Sequence, residues 1–140
     1  MKSISKITVR YAETDQMGIA HHANYPVWYE VGRSDLIRSI GIRYSALEEM
    51  GILVPLMHLE STYRRPCRYE DRLEVHTYIK SLSYVKMEIG YEIYIEGEDT
   101  PINTGATTHA ITDKQLRPIN LKRVQPELYA RMQAMAAQGE

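Results

Sequence analysis

Residues 11–30 read YAETDQMGIAHHANYPVWYE, and the change of period inside this stretch decides the fold. Up to Ala23 it is polar and irregular, broken by Gly18. From Tyr25 onward, Tyr25, Trp28, Tyr29, Gly32, Leu36 and Ile40 recur at steps of three and four, the spacing of one helix face. Asn24 is a natural N-cap, Pro26 suits the first turn and Gly41 is a stop. The spacing predicts a helix over 25–40, roughly 24 Å long at about 1.5 Å per residue. Val27, Val31 and Ile37 fall off the main stripe, so the helix is apolar over most of its surface, as a helix enclosed by a sheet would be.

On either side of this helix the period is two. Residues 4–11 place Ile7, Val9 and Tyr11 on one face of a half-buried strand. After the helix, Ser45–Glu48 has the S-x-x-E pattern of a capping box, opening a short helix that stops at Gly51. Strands follow over 53–65, 72–80, 85–96 and 102–112, with Pro55 tolerable only at a strand start or an edge. Val85, Met87, Ile89, Tyr91, Ile93 and Ile95 share one face of the clearest of them. Pro126 opens a last helix with Leu128, Met132 and Met135 on one stripe. Strands joined by short turns pair antiparallel. The expected architecture is therefore α+β: a curved antiparallel sheet of about five strands wrapped around one long helix.

The 140 residues suit a single domain spanning 1–140. A net charge of −1 argues against nucleic acid as a partner, and no apolar run is long enough for membrane insertion. No signal peptide is visible at the N-terminus, and one cysteine, Cys67, permits no intramolecular disulfide; a reducing cytoplasm is the simplest setting. The five histidines show no metal-ligand spacing: His21 and His22, being adjacent, are expected to point apart, so no metal and no cofactor is expected.

The chemistry-bearing residues sit in the loop before the helix. Asp15 precedes a helix N-terminus, where unpaired N–H groups and partial positive charge favour an oxyanion. A carboxylate there can serve as nucleophile or as base for water, and a histidine can orient it or shuttle a proton. Such a set suits hydrolysis of an activated acyl group. Taken singly, the same residues read more blandly, because an Asp in a Gly-containing loop is most often a turn residue.

Thr14, Asp15, Gly18, Ile19, Ala20, His22, Tyr25 and Tyr29 together resemble the signature of the 4-hydroxybenzoyl-CoA thioesterase-like family of hotdog-fold acyl-CoA thioesterases. Trp28, Glu30 and Arg33 continue the likeness, as do TYRRPCRYEDRLEV at 62–75 and the pair Arg117-Pro118. Ala20 departs from the usual Val. The resemblance implies an acyl-CoA substrate, Asp15 as the catalytic carboxylate, and His22 donating its backbone N–H to the thioester carbonyl. His22, with Tyr11 framing the site, resembles the bacterial Tol-Pal-associated branch. The aryl branch lacks this histidine, which leans toward a short-to-medium aliphatic acyl group. Gly18, Asn24 and Tyr25 fall at substrate-binding positions. Arg64, Arg65 and Arg68 are candidates for coenzyme A phosphates, which arginine pairs bidentately, although a solvated sheet face beside Glu60, Glu70 and Asp71 explains them equally well.

Two rivals stand beside thioester hydrolysis. A hydratase or dehydratase of the same fold often carries D-x-x-x-x-H, whereas Asp15 lies six and seven residues before His21 and His22. A non-catalytic acyl-CoA-binding module would release no thiol. A lone sheet leaves open edges and a shallow site, so a homodimer or dimer of dimers is expected, with residues 53–65 of one subunit near Asp15 of the other and the arginine cluster serving the partner's coenzyme A.

Overall fold

Alternation over residues 72–95 builds the centre of the molecule. In the computed structural model, which describes residues 2–138, β1 (Ser3–Thr8), β2 (Leu56–Tyr63), β3 (Arg72–Leu82), β4 (Lys86–Ile95) and β5 (Asn103–Ala110) form one antiparallel sheet in the order β1-β3-β4-β5-β2. The central register pairs Val75 with Ile93, Thr77 with Tyr91 and Ile79 with Ile89, all buried on the same face. Cross-strand contact among such side chains is what stabilises a sheet. The strand β2 does not pair with its sequence neighbour β3; it lies outside β5, with Tyr63 opposite Asn103.

The predicted helix is α1 (Asn24–Ser39), followed by α2 (Tyr44–Glu49). It packs on β1, β3 and β4, burying Tyr25, Trp28, Tyr29, Gly32, Leu36 and Ile37. Gly32 is required by the close approach: a Cβ there would lie 2.2 Å from Thr77 Oγ1. Gly41 takes φ +87°, the left-handed stop expected of it. Against β3, α3 (Leu121–Val124) and α4 (Pro126–Gln138) close the core with Leu121, Leu128, Met132 and Met135. Among the described residues no helix is long and apolar enough to cross a membrane.

Four local expectations are corrected. The first strand stops at Thr8; Tyr11 opens a 3-10 turn (Tyr11–Glu13) and is 76% exposed. Asn24 is the first helical residue rather than the N-cap, which is Ala23. Ser45 and Glu48 both lie inside α2, whose N-cap is Arg43, because Tyr44 is drawn in to pack against the core. Val27 and Val31 are exposed at 49% and 40%, since a single sheet covers only one side of α1.

Candidate active site

The loop between β1 and α1 is organised by Glu13, which the sequence analysis did not single out. Its carboxylate is buried, accepting Trp28 Nε1 at 2.9 Å and the Arg10 N–H at 2.8 Å. Burial works to raise this carboxyl, but the bonds from Arg10 and Trp28 outweigh it and hold Glu13 below its ordinary value. Its main-chain carbonyl accepts the His21 N–H at 2.8 Å and Asn24 Nδ2 at 2.8 Å. The loop is thereby tied to both the core and the start of α1.

Within the loop Asp15 makes a tight turn: its Oδ1 accepts the Met17 N–H at 2.9 Å, and its carbonyl accepts the Gly18 N–H at 2.9 Å. Gly18 supplies the turn with φ +78°. No hydrogen bond among the described residues engages Asp15 Oδ2.

Just before the helix, His21 Nδ1 accepts the N–H of the N-cap residue Ala23 at 3.1 Å, while among the described residues no side chain caps α1 itself. The His21 carbonyl accepts the Asn24 N–H, and the His22 carbonyl accepts the Tyr25 N–H. The His22 N–H has no acceptor among the described residues. The two histidine rings do not point apart as expected. They stack, with centroids 4.3 Å apart, because the chain turns into the helix at this point. Among the described residues no three His, Cys, Asp or Glu side chains are grouped to hold a metal ion.

A cleft of about 290 Å³ brings Asp15, His22 and Tyr25 together with Tyr63, Arg64 and Arg65. Its remaining wall is apolar, from Met17, Ile19, Ala20 and Pro66. Tyr25 is itself buried, its hydroxyl 3.4 Å from Cys67 Sγ, and burial followed by that bond pushes its phenol well up, so it remains protonated. Arg65 pairs with Glu98 at 2.7 Å, and Arg64 reaches Thr104 at 3.5 Å. These two arginines line the cleft of their own chain.

Tyr11, Gly18 and Arg68 do not line this cleft. Tyr11 and Gly18 border a second hollow with Tyr69, and Asp15 lines both hollows. Tyr11 meets Tyr69 edge-on at 5.6 Å. Arg68 is exposed, its main-chain N–H bound to Asp71. Tyr63 is a polar cleft residue that was not among the expected site residues. Its hydroxyl donates to the His22 carbonyl at 3.0 Å, and its ring stands edge-on to Tyr25 at 4.9 Å. Its only signal in the sequence was its place within the 62–75 segment.

Comparison with known proteins gives the family and the fold. The family model described as the thioesterase superfamily matches residues 17–102, from just after Asp15 through Tyr63 and both arginines. YneP of Bacillus subtilis, named as a candidate acyl-CoA thioesterase, is 40% identical over 126 residues, 89% of this chain and 91% of that protein. The acyl-CoA thioester hydrolase YbgC of Escherichia coli is 31% identical over 99 residues, 69% of this chain and 72% of its own length. The solved DHNA-CoA thioesterase of Staphylococcus aureus superposes with a TM-score of 0.89 at 34% identity, covering 99% of this chain and 95% of that one. With a five-stranded antiparallel sheet packed on one long helix and a family match over most of its length, the chain belongs to the thioesterase superfamily and has the hotdog fold.

Proposed function

We propose that this protein hydrolyses acyl-CoA thioesters to a free acid and coenzyme A, with Asp15 as the reacting carboxylate and the His22 N–H as the oxyanion donor. The observation that carries this is one cleft holding Asp15, with Oδ2 uncommitted, together with His22, whose N–H lacks an acceptor. Thioester hydrolysis asks for those two things: a carboxylate and a dipole aimed at the developing negative charge. As nucleophile, Asp15 Oδ2 attacks the carbonyl carbon, the C–S bond breaks to release the thiolate, and water then hydrolyses the mixed anhydride. As base, Asp15 takes a proton from water, whose oxygen attacks the same carbon, and the thiolate leaves with that proton. Arg64 and Arg65 at the cleft wall suit the phosphates of coenzyme A.

The names of the relatives support this activity. From the likeness that His22 and Tyr11 carry, we propose the Tol-Pal-associated branch of the family, with a short-to-medium aliphatic acyl group as substrate. One observation favours a second reading of the acyl group: the Staphylococcus aureus structure, at 34% identity, is named for an aryl thioester, DHNA-CoA, and the rings of Tyr25 and Tyr63 stand in the cleft. Release of free thiol from a panel of aliphatic and aryl acyl-CoA substrates separates the two. The same panel run with Asp15→Asn tests the mechanism. Asn keeps the turn to Met17 but not the charge, and kcat is expected to fall at least about 100-fold, the scale of a positioned base. Wild-type turnover by that variant would overturn the assignment, and binding without thiol release by the wild type would make the protein a carrier.

We further propose that the working form is a homodimer. The inner face of β2 carries Leu56, Leu59, Ser61 and Tyr63, opposite His109, Thr107, Gly105 and Asn103, yet α1 covers β1, β3 and β4 instead, leaving Leu56 52% and Leu59 36% exposed.

A further inference from the structure

We infer that Asn24 and Tyr63 are positioning residues that clamp the peptide units on either side of His22 and so aim its N–H. This rests on the His22 N–H being the oxyanion donor. A trans peptide unit is planar, so its C=O and N–H point in opposite directions. The unit that carries the His22 N–H has the His21 carbonyl at its other end. That carbonyl accepts twice from Asn24, from the backbone N at 3.0 Å and from Nδ2 at 3.2 Å. With the carbonyl drawn into the first turn of α1, the N–H is turned outward. Donors on a carbonyl also polarise its amide, which makes the N–H a stronger donor.

The next peptide unit is held just as firmly. The His22 carbonyl accepts the Tyr63 hydroxyl at 3.0 Å and the Tyr25 N–H at 3.3 Å. Tyr63 is fixed in turn, because Asn103 reaches Ser61 Oγ at 2.9 Å and the Thr62 carbonyl at 3.1 Å, seating the end of β2. The role of Asn24 therefore differs from the substrate contact expected of it: its Nδ2 is spent on the Glu13 and His21 carbonyls. A preorganised donor of this kind contributes to the transition state and little to the ground state, so the clamp should be felt in kcat rather than KM.

The test uses the full-length protein with Tyr63→Phe, which removes one hydroxyl and keeps the ring, and with Asn24→Ala. Each is expected to lower kcat about 5- to 50-fold, below the roughly 100- to 1,000-fold cost of losing an oxyanion donor outright, with KM changed less than about twofold. Affinity for an S-alkyl thioether of coenzyme A, which has no carbonyl, should not change. Wild-type kcat in Tyr63→Phe and Asn24→Ala, while Asp15→Asn is inactive, overturns the clamp and leaves the proposed function standing. A raised KM at unchanged kcat also overturns it, because the two residues would then be substrate contacts. Should Asn24→Ala fail to fold, Tyr63→Phe alone decides. Wild-type turnover by Asp15→Asn would instead overturn the underlying mechanism.

Discussion

The indole N–H of Trp28 donates to Glu13 Oε2 at 2.9 Å, joining a buried residue of α1 to the loop that carries Asp15. The site is thus held from the core side. The bond joins residues fifteen positions apart, and both partners are almost fully buried.

Replacing Glu13 should therefore cost stability and activity together. Glu13→Ala leaves the indole and the Arg10 N–H without their acceptor, a loss of about 2–3 kcal/mol by the usual cost of unmaking bonds to a buried charged group. Because the folded carboxyl lies below its ordinary value of 4.5, its contribution is fully present above that value and is lost as pH falls through the lowered folded value. In urea titrations, the deficit of Glu13→Ala should be full at pH 7 and should shrink in acid. A pH-independent deficit would mean that packing rather than charge is responsible.

The two histidines should separate by the kind of damage their replacement does. His21→Ala deletes the acceptor of the Ala23 N–H, an exposed hydrogen bond whose loss costs about 1 kcal/mol. His22→Ala keeps the backbone N–H and should change kcat little, unless the imidazole itself moves a proton. Thermal melts and thiol-release rates on both variants check this. A large kcat loss in His22→Ala with an unchanged melting temperature would give the ring a chemical part.

Gly32→Ala tests the approach of helix to sheet. The added Cβ would meet Thr77 Oγ1 at 2.2 Å and Val75 Cγ1 at 3.1 Å, both on β3. Overpacking of this kind costs about 1–3 kcal/mol, more than the gain in helix propensity returns. Thr77 Oγ1 is also a buried oxygen without a hydrogen-bond partner among the described residues, so Thr77→Val should be tolerated where Gly32→Ala is not. Urea midpoints of the two variants check the contrast.

What the sequence shows plainly is whatever depends on near neighbours in the chain. The stripe Tyr25, Trp28, Tyr29, Gly32 and Leu36 and the alternation Met87, Ile89, Tyr91 and Ile93 reappear as the buried faces of α1 and β4, because burial repeats with the geometry of each element, whereas Val85 lies before β4 and is exposed. Asp15, Gly18 and His22 were visible as a spaced motif in one loop. Glu13 and Tyr63 were not, because their partners Trp28 and His22 stand fifteen and forty-one residues away and no local pattern marks such pairs. The place of β2 beyond β5 was hidden for the same reason. Alternation says that a strand forms and which face it buries, and leaves its neighbour unspecified.

The two edges of the sheet set up the last prediction. On one edge β1 is short, and the neighbouring Lys2 and Lys6 pair with Glu92 and Glu96, the charged residues that blunt an edge against association. On the other, β2 is eight residues long and shows Leu56, Met57 and Leu59 to solvent at 52%, 54% and 36%. A second copy of β2, paired antiparallel about a twofold axis, would satisfy the open edge and cover these side chains. It would also stiffen the strand whose end carries Tyr63 and the cleft arginines. Leu59→Lys puts a charge on the inner face of that junction. It should convert a dimer to a monomer at micromolar concentration in sedimentation velocity, and lower thiol release in parallel, while each subunit remains folded by circular dichroism. A wild-type protein that sediments as an active monomer would show that β2 works unpaired and that one subunit's cleft is sufficient.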